Sequence, residues 1–546
     1  MGLLISRLLA RPVSAGAVLA VTATLAVGLG SPAGAGTRPA TRAAVGEGLA
    51  SAPRWTSCAH GIPGPFQCAT VRVPLNYQNP SGQKISLALL RLRASDPAKR
   101  IGSLFINFGG PGGLDITDLV NRAFTVFSPA IRSRFDLVTW DPRGIEYSDP
   151  VNCFASQTAS NNFFNSDPVF PYPQSGEPAY FTLNAQLGKD CKSRAGTLIR
   201  HISTTDTARD LNQIRQDMGI KKLDYMGFSY GTVIGATFAN LFPGHVRAMV
   251  LDGTLDFIGN VTGHHPGDGA KFPIDIRQGV DKAGQNTFNR FLALCARAGS
   301  KCAFSKGGNL PAKWATLLSR ARKGQISYQN LMISAYFDME DPIADWPNLA
   351  NILQSLFTST SAGHAVTPGL AARLASAARA AASRSLAGPA AVAAKYTNNR
   401  EDAFYSIQCA DSLVPTQRIV YHNLAISEDR KVPGFGRLIV YDAMPCASWP
   451  AMHTDAYDGP WGRSRATILV VNAVHDPITP IWGAKAAASE LHNARLLTVN
   501  GDGHTSMFVE PSTCRQAAIL AYLSSLKLPA KGAVCQVDQL PFGLSP

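Results

Sequence analysis

Short, almost wholly apolar segments alternate with helical patterns along most of this chain. Six of them predict strands that are buried on both faces, at residues 103–108, 135–140, 223–226, 248–251, 467–472 and 495–499. Buried strands separated by helices are typical of a parallel sheet that is covered on both sides. Two earlier segments, 70–75 and 85–93, flank an Asn79-Pro-Ser-Gly82 turn and predict an antiparallel pair. We therefore predict an α/β fold with a mostly parallel sheet flanked by helices.

The segment between the strands ending at 251 and starting at 467 is too long for a single crossover. Its helical patterns cover residues 279–298, 314–323, 346–357 and 369–386. We interpret it as a large, mainly helical cap at 257–462, which divides the core into residues 53–256 and 463–546. The alanine-rich helix carries Arg373, Arg379 and Arg384 and resembles a membrane-surface helix, but packing within the cap is the simpler account.

The amino terminus has the pattern of a secretory signal. Arg7 and Arg11 precede an apolar run at 13–30, and Ala33-Gly-Ala35 offers a cleavage site. The run is also as long as the shortest membrane-spanning helices, so an uncleaved anchor is the alternative. We predict a signal at 1–35, a disordered or propeptide-like segment at 36–52, and a secreted, extracellular protein with no membrane association after cleavage.

Export to an oxidising compartment would let the ten cysteines form up to five disulfides. Short loops close most easily, which favours pairing in sequence order, although the sequence alone does not establish the connectivity. The predicted pairs are Cys58 with Cys68, Cys153 with Cys191, Cys295 with Cys302, Cys409 with Cys446, and Cys514 with Cys535. No pair has C-x-x-C spacing, which argues against a zinc or redox site at the cysteines. We expect no metal or other cofactor, because the chemistry considered below needs none and the sequence shows no strong site for one.

The composition is that of a globular protein, with 45% hydrophobic and 16% charged residues. The net charge of +14 becomes +12 without the two arginines of the signal. Basic residues are scattered and form no stripe interleaved with aromatics, so we expect no nucleic-acid partner. We expect a monomer.

Residues 227–231 read Gly-Phe-Ser-Tyr-Gly, between a predicted strand and a helix rich in small residues. In this strand, turn and helix context, G-x-S-x-G presents its serine as an exposed nucleophile. A chance match is the alternative, because the chain has 48 glycines. Ser229 is the predicted nucleophile.

A serine nucleophile needs a base and an acid, and both should follow strand ends. Asp476 follows the strand ending at 472, and His504 follows the strand ending at 499. Asp252 and Asp256 also follow a strand and are the alternative acids. We predict the order Ser229, Asp476, His504.

Backbone N–H groups must face the oxyanion of an acyl-transfer intermediate. Tyr230, directly after the nucleophile, should supply one. Gly109 or Gly110, in the glycine run after the strand at 103–108, should supply the other. A phosphate-binding loop is the alternative, but no P-loop lysine follows the run.

Together these motifs resemble the secreted bacterial tripeptidyl aminopeptidases, α/β-hydrolase serine peptidases related to the prolyl aminopeptidases. The resemblance is carried by Asn107-Phe-Gly-Gly-Pro-Gly-Gly113, Trp140-Asp-Pro-Arg-Gly144, Thr204-Thr-Asp-Thr-Ala-Arg-Asp-Leu211, Gly227-Phe-Ser-Tyr-Gly-Thr232, Ser406-Ile-Gln-Cys-Ala-Asp411 and His475-Asp-Pro-Ile-Thr-Pro480. It implies an α/β-hydrolase fold, peptide substrates with a free N-terminus, and a triad of Ser229, Asp476 and His504. Phe108, Leu114-Asp115 and Ile145-Glu-Tyr-Ser148 depart from the family pattern.

An aminopeptidase must also bind an ammonium group, for which carboxylates are the natural partner. The candidates in the predicted cap are Glu340, Asp341, Glu401 and Asp402. A secreted carboxylesterase or other acyl hydrolase with the same triad is the alternative function. A non-catalytic binding protein on the same fold is a third hypothesis, disfavoured because all three triad positions are filled.

Overall fold

The computed structural model describes residues 52–58, 62–166, 168–361, 367–384 and 398–546. The predicted signal at 1–35 and nearly all of the segment at 36–52 lie outside these residues. Among the helices that are described, none is long and apolar enough to cross a membrane.

Ten strands form one sheet at the centre of the molecule. They are β1 (Thr56–Ser57), β2 (Phe66–Pro74), β3 (Lys84–Leu92), β4 (Gly102–Asn107), β5 (Phe135–Trp140), β6 (Leu223–Phe228), β7 (Val246–Asp252), β8 (Ile468–His475), β9 (Ala494–Asp502) and β10 (Val534–Gln536). All residues of β5 and β6 are buried, as expected for strands covered on both faces.

The strand order is β1-β2-β3-β5-β4-β6-β7-β8-β9-β10. The pairs β1–β2, β2–β3 and β3–β5 are antiparallel, and the pairs from β5 to β10 are parallel. The predicted fold class is therefore confirmed. Only β1 and β10 escaped prediction, because segments of two and three residues are too short to show a period.

Six helices precede β7 in the described part of the chain. They are α1 (Asp115–Arg122), α2 (Pro129–Arg132), α3 (Gln157–Ser166), α4 (Glu177–Ala195), α5 (Thr204–Asp217) and α6 (Gly231–Leu241). The small residues of α6 let it approach the sheet closely. A Cβ on Gly235 would lie 2.6 Å from the Tyr225 ring of β6, so a side chain there would force the helix away.

Eleven described helices lie between β7 and β8, where the sequence predicts a helical cap. They are α7 (Phe257–Val261), α8 (Asp268–Lys271), α9 (Ile274–Gln278), α10 (Val280–Ala298), α11 (Leu310–Arg322), α12 (Tyr328–Phe337), α13 (Trp346–Ser361), α14 (Pro368–Arg384), α15 (Arg400–Asp411), α16 (Arg418–Lys431) and α17 (Phe435–Tyr441). The alanine-rich α14 packs against α12 and buries Leu374.

Three helices complete the core: α18 (Ile481–Glu490), α19 (Ser506–Val509) and α20 (Thr513–Ser525).

The cap and the sheet share one continuous hydrophobic cluster. Phe228 and Leu104 of the sheet belong to the same cluster as Phe288 and Trp346 of the cap. Burial of this kind is the main favourable term in folding. The cap is therefore packed as part of the molecule, while its boundaries at 257 and 462 stay predictions.

All ten cysteines are paired, in the sequence order that was predicted. The disulfides are Cys58–Cys68, Cys153–Cys191, Cys295–Cys302, Cys409–Cys446 and Cys514–Cys535. The last of these fastens β10, at the edge of the sheet, to α20.

Candidate active site

Ser229 occupies the sharp turn between β6 and α6, with a φ of 52°. Its N–H donates to the carbonyl of Asp252 at 3.0 Å, which fixes the turn against β7. A Cβ on Gly227 would lie 2.4 Å from the Gly231 carbonyl, and one on Gly231 would lie 2.6 Å from that of Asn107. Both glycines are therefore required, and the strained turn presents the serine at the carboxyl edge of the sheet.

Asp476 and His504 meet beyond the ends of β8 and β9. His504 Nδ1 lies 3.0 Å from Asp476 Oδ1 and 3.1 Å from Oδ2. The carboxylate also accepts the backbone N–H of Thr479 at 2.8 Å and its hydroxyl at 2.7 Å. Asp476 is fully buried and held in place, so it can orient the imidazole and stabilise its cation.

Asp252, the alternative acid, has a different role. Its carboxylate accepts the N–H groups of Ser506 and Met507, at 3.1 and 2.8 Å, just beyond His504. Its own carbonyl accepts the N–H of Ser229. Asp252 thus connects the nucleophile turn to the histidine loop and sets the distance between them.

The imidazole of His504 is biased toward its protonated form. Burial by itself would lower the pKa of His504, but the charges of Asp476, Glu340 and Asp252 outweigh it and the pKa is raised. Among the described residues, the Ser229 hydroxyl forms no hydrogen bond with His504. In structures without substrate this contact is often long and tightens only in the complex.

The glycine loop after β4 lies directly against the nucleophile turn. A Cβ on Gly109 would lie 2.9 Å from the Tyr230 nitrogen, and both Gly109 and Gly110 have positive φ. The Gly109 N–H donates to Asn107 Oδ1 at 3.1 Å, so it is engaged elsewhere. Within the described chain, the N–H groups of Gly110 and Tyr230 donate no hydrogen bond. Of the two glycines named from the sequence, Gly110 is thus the one whose N–H has no acceptor among the described residues.

Asp115, one of the departures from the family pattern, braces this loop. Its carboxylate accepts the Asn107 side-chain amide at 2.9 Å and the Phe108 N–H at 2.6 Å. The Phe108 ring stacks on those of Phe228 and Phe508, with centroids 5.8 and 6.0 Å away. A polar bridge and an aromatic stack therefore hold the glycine loop between the nucleophile turn and the helix that follows His504.

Asp411, at the end of α15, positions the residue after the nucleophile. Its Oδ2 accepts the Tyr230 hydroxyl at 2.6 Å, and its two oxygens accept the Thr204 N–H at 2.9 and 3.1 Å. Burial raises the pKa of Asp411 to about 6. Sequence reasoning placed Asp411 in a family motif without a role, because the contact joins residues 181 positions apart.

The cap helix α10 is fastened to both catalytic loops. Asn286 Oδ1 lies 2.6 Å from His475 Nδ1, beside Asp476. Arg290 Nε lies 3.1 Å from Asp502 Oδ1, two residues before His504. Burial and the nearby Arg290 lower the pKa of His475 to about 4, so it is neutral at physiological pH.

The structure gives two of the four predicted amine-binding carboxylates other partners. Asp341 Oδ1 accepts the N–H groups of the turn at 343–344, and Asp402 Oδ2 accepts the Cys153 N–H at 3.0 Å. Glu401 lies on the first turn of α15, where burial raises the pKa of its carboxyl. Glu340 is at the site, because its carbonyl accepts the His504 N–H at 2.9 Å.

Sequence reasoning missed a second acidic pair in the cap, Asp275 of α9 and Asp442 at the end of α17. Burial, followed by the charge and hydrogen bond of Asp442, raises the pKa of Asp275 well above its ordinary value. Both residues are nevertheless partly accessible to solvent. The buried Tyr336, whose hydroxyl donates to the carbonyl of Pro477 at 3.3 Å, lies within the field of both carboxylates. No local sequence signal marks this pair.

Comparison with known proteins agrees with this geometry. Residues 103–300 match the family model described as alpha/beta hydrolase fold, and residues 431–535 match the one described as TAP-like protein. Serine protease Hip1 of Mycobacterium tuberculosis is 30% identical over 503 residues, covering 88% of this chain and 90% of its own. Tripeptidyl aminopeptidase of Streptomyces lividans is 27% identical, with 89% and 87% covered. Carboxylesterase B of M. tuberculosis is 27% identical, with 88% and 89% covered.

The relative that is 30% identical aligns over nearly the full length of both chains, and this establishes family membership. The chain belongs to the tripeptidyl aminopeptidase family of α/β-hydrolases, and it is a serine hydrolase.

Proposed function

We propose that this protein is a secreted, monomeric serine exopeptidase that releases short peptides, tripeptides in particular, from the free N-terminus of peptide substrates. The observation that carries the proposal is that the charges of Glu340, Asp275 and Asp442 all act on the buried Tyr336, whose hydroxyl donates to the carbonyl of Pro477, next to Asp476. The five disulfides fit an oxidising, extracellular compartment.

The proposed chemistry is acyl transfer to Ser229. His504 removes the hydroxyl proton as Ser229 Oγ attacks the scissile carbonyl, and Asp476 stabilises the resulting imidazolium. The N–H groups of Tyr230 and Gly110 donate to the oxyanion of the tetrahedral intermediate. His504 then protonates the leaving amine, the C–N bond breaks, and water repeats the sequence to free the N-terminal peptide and restore Ser229.

Recognition of a free N-terminus follows from the charge of the cap. Two carboxylates as close as Asp275 and Asp442 repel each other when both are ionised, and burial strengthens the repulsion. A substrate ammonium placed between them would relieve this repulsion and form charge-assisted hydrogen bonds. Glu340 adds a third negative charge, which acts on both Tyr336 and His504.

Two relatives have names that correspond to the two candidate functions, peptidase and esterase. The Streptomyces relative is named tripeptidyl aminopeptidase, and the relative named carboxylesterase B favours ester hydrolysis by the same triad. Since the two functions share their chemistry, the requirement for a free amino group separates them.

The first experiment compares hydrolysis of chromogenic anilides that carry one, two or three amino acids, each with a free or an acetylated N-terminus. We expect cleavage of the free tripeptide anilide, absent in Ser229→Ala. Equal cleavage of acetylated anilides or simple acyl esters would contradict the exopeptidase and support the esterase. Release of single residues or dipeptides would keep the exopeptidase and correct the product length.

The second experiment tests the amine-binding carboxylates. Asp275→Asn and Asp442→Asn should lower kcat/KM for the free tripeptide anilide roughly 10- to 100-fold, the value of a hydrogen bond to a charged group. Activity on an acyl ester without an amino group should stay unchanged. Asp341→Asn is the matched control, because the Asp341 carboxylate accepts N–H groups of a turn. We expect it to leave kcat/KM for both substrates unchanged. Equal losses on both substrates would show that the pair only supports the fold.

A further inference from the structure

A cluster of three potential ligands lies where the cap joins the core, outside the site described above. Asp256 is the N-cap of α7, the first helix of the cap, and His264 follows in the loop after that helix. Glu490 is the last residue of α18 in the core. One ligand atom from each of the three lies within 4.8 Å of the other two.

The spacing of these atoms is close to that of a zinc site. His264 Nε2 lies 2.8 Å from Asp256 Oδ2 and 3.8 Å from Glu490 Oε1. Tetrahedral zinc with bonds of about 2.0 to 2.2 Å holds its ligand atoms roughly 3.3 to 3.6 Å apart. The observed distances bracket this range, so side-chain shifts of about half an ångström would suffice.

Backbone groups orient both carboxylates. Asp256 Oδ1 accepts the Gly259 N–H at 2.7 Å. Glu490 Oε2 accepts the N–H groups of Phe257 and Ile258, at 3.2 and 3.4 Å. Such outer hydrogen bonds fix the ligands of metal sites and raise their affinity. Each carboxylate therefore keeps an oxygen turned toward His264.

One of these oxygens has no hydrogen-bond donor. Glu490 Oε1 is buried, no described N–H group donates to it, and the Asp256 carboxyl lies within hydrogen-bonding reach of the Glu490 side chain, which is only 7% exposed. The Asp256 side chain beside it is 10% exposed. A carboxylate oxygen removed from water needs a positive partner, and the His264 nitrogen is much closer to Asp256. A cation bound by all three side chains would supply that partner, in place of the present hydrogen bond between His264 and Asp256.

We propose that Asp256, His264 and Glu490 bind a zinc ion, with water completing its coordination. A set of one imidazole nitrogen and two carboxylate oxygens suits zinc, whereas calcium takes six to eight oxygen ligands. The ion takes no part in the hydrolysis. It fastens the first helix of the cap to α18, which starts directly after the Asp476 loop.

The test uses the purified full-length protein after treatment with a chelator. Calorimetric titration should show one Zn²⁺ bound per chain, and Zn²⁺ should raise the thermal unfolding temperature. His264→Ala and Glu490→Gln should each weaken zinc binding about 10- to 100-fold or abolish it. His265→Ala, at the exposed neighbouring histidine, is the matched control and should bind zinc like the unaltered protein.

Three results would overturn the proposal. They are the absence of zinc binding, equal binding by His264→Ala, and binding of Ca²⁺ in preference to Zn²⁺. Glu490→Gln keeps the size of the side chain and removes its charge, so it should fold. Without zinc it should unfold at about the same temperature as the chelated protein, because the amide fills the same space as the carboxyl.

Discussion

At the scale of single residues, we expect the Asp476–His504 pair to set both the rate of hydrolysis and its pH dependence. His504 must be neutral to act as the base, and Asp476 raises its pKa. Activity should therefore be present at high pH and fall as the pH drops through a value above the ordinary pKa of histidine, about 6.5. The check is the acid limb of kcat/KM against pH, which reports groups of the free enzyme.

Asp476→Asn tests the same pair. It should lower kcat by about 10⁴-fold, because an amide cannot hold the imidazole in the required tautomer or stabilise its cation. The remaining activity should have its acid limb at a lower pH, since the charge that raises the His504 pKa is lost. If the fall in activity at low pH occurs at the same pH in this variant as in the unaltered protein, a group other than His504 causes it.

Asp411 and Tyr230 are the second residue-scale case. Asp411→Ala removes the acceptor of the Tyr230 hydroxyl, and Tyr230→Phe removes the donor. Each should lower kcat by up to roughly 100-fold with little change in KM, because the oxyanion donor at Tyr230 is displaced. Steady-state kinetics of the double variant should show no greater loss than the worse single variant. Additive losses would mean that the two side chains act separately.

At the scale of elements, Arg143 fastens the antiparallel edge of the sheet to α5. Its guanidinium binds Asp210 through Nε at 2.7 Å and Nη2 at 2.6 Å, and it donates to the carbonyls of Pro74 and Leu75. Every part of this Arg143–Asp210 pair is buried. Arg143 in this family motif thus has a structural role.

Arg143→Met should lower the free energy of unfolding by about 3 to 5 kcal/mol, because it leaves Asp210 buried without its cation. Lys99→Met is the control, since Lys99 pairs with Asp96 on the surface and is 62% exposed. Lys99→Met should lower the free energy of unfolding by less than about 1 kcal/mol. Urea unfolding with the disulfides intact measures both, and equal midpoints would contradict the prediction.

At the scale of the whole molecule, buried carboxyls determine how stability responds to pH. Burial raises the pKa of Asp224, Asp411 and Asp502 to about 6 and that of Glu510 to about 8. In the unfolded chain these groups titrate near pH 4. The folded state therefore binds more protons between about pH 4 and 8, and stability falls as the pH rises through this window.

Thermal unfolding should accordingly occur at a higher temperature near pH 5 than near pH 8. Glu510→Gln should flatten the upper part of this dependence, because the neutral side chain can still accept the Asp502 N–H but no longer titrates. A melting temperature that is flat or rises over the whole range would contradict the prediction.

The amino-acid sequence by itself determined the fold class and the positions proposed for the triad, and it favoured the disulfide pairing that the structure then established. These features can be recognised in short stretches of sequence. Buried strands are apolar, and the loops proposed to be catalytic follow strand ends. The glycines at 227 and 231 are required by close backbone contacts. The two shortest strands left no such mark.

Only the tertiary structure decided which polar groups meet. Asp411 with Tyr230, Asp275 with Asp442, and Glu490 with His264 join residues separated by more than 160 positions. It also showed that the Gly109 N–H donates to Asn107. The carboxylates of Asp341 and Asp402 accept backbone N–H groups, from Ile343 and Cys153. The physical reason is that hydrogen bonds and ion pairs act over a few ångströms in space, and the packing of the cap on the sheet sets those distances.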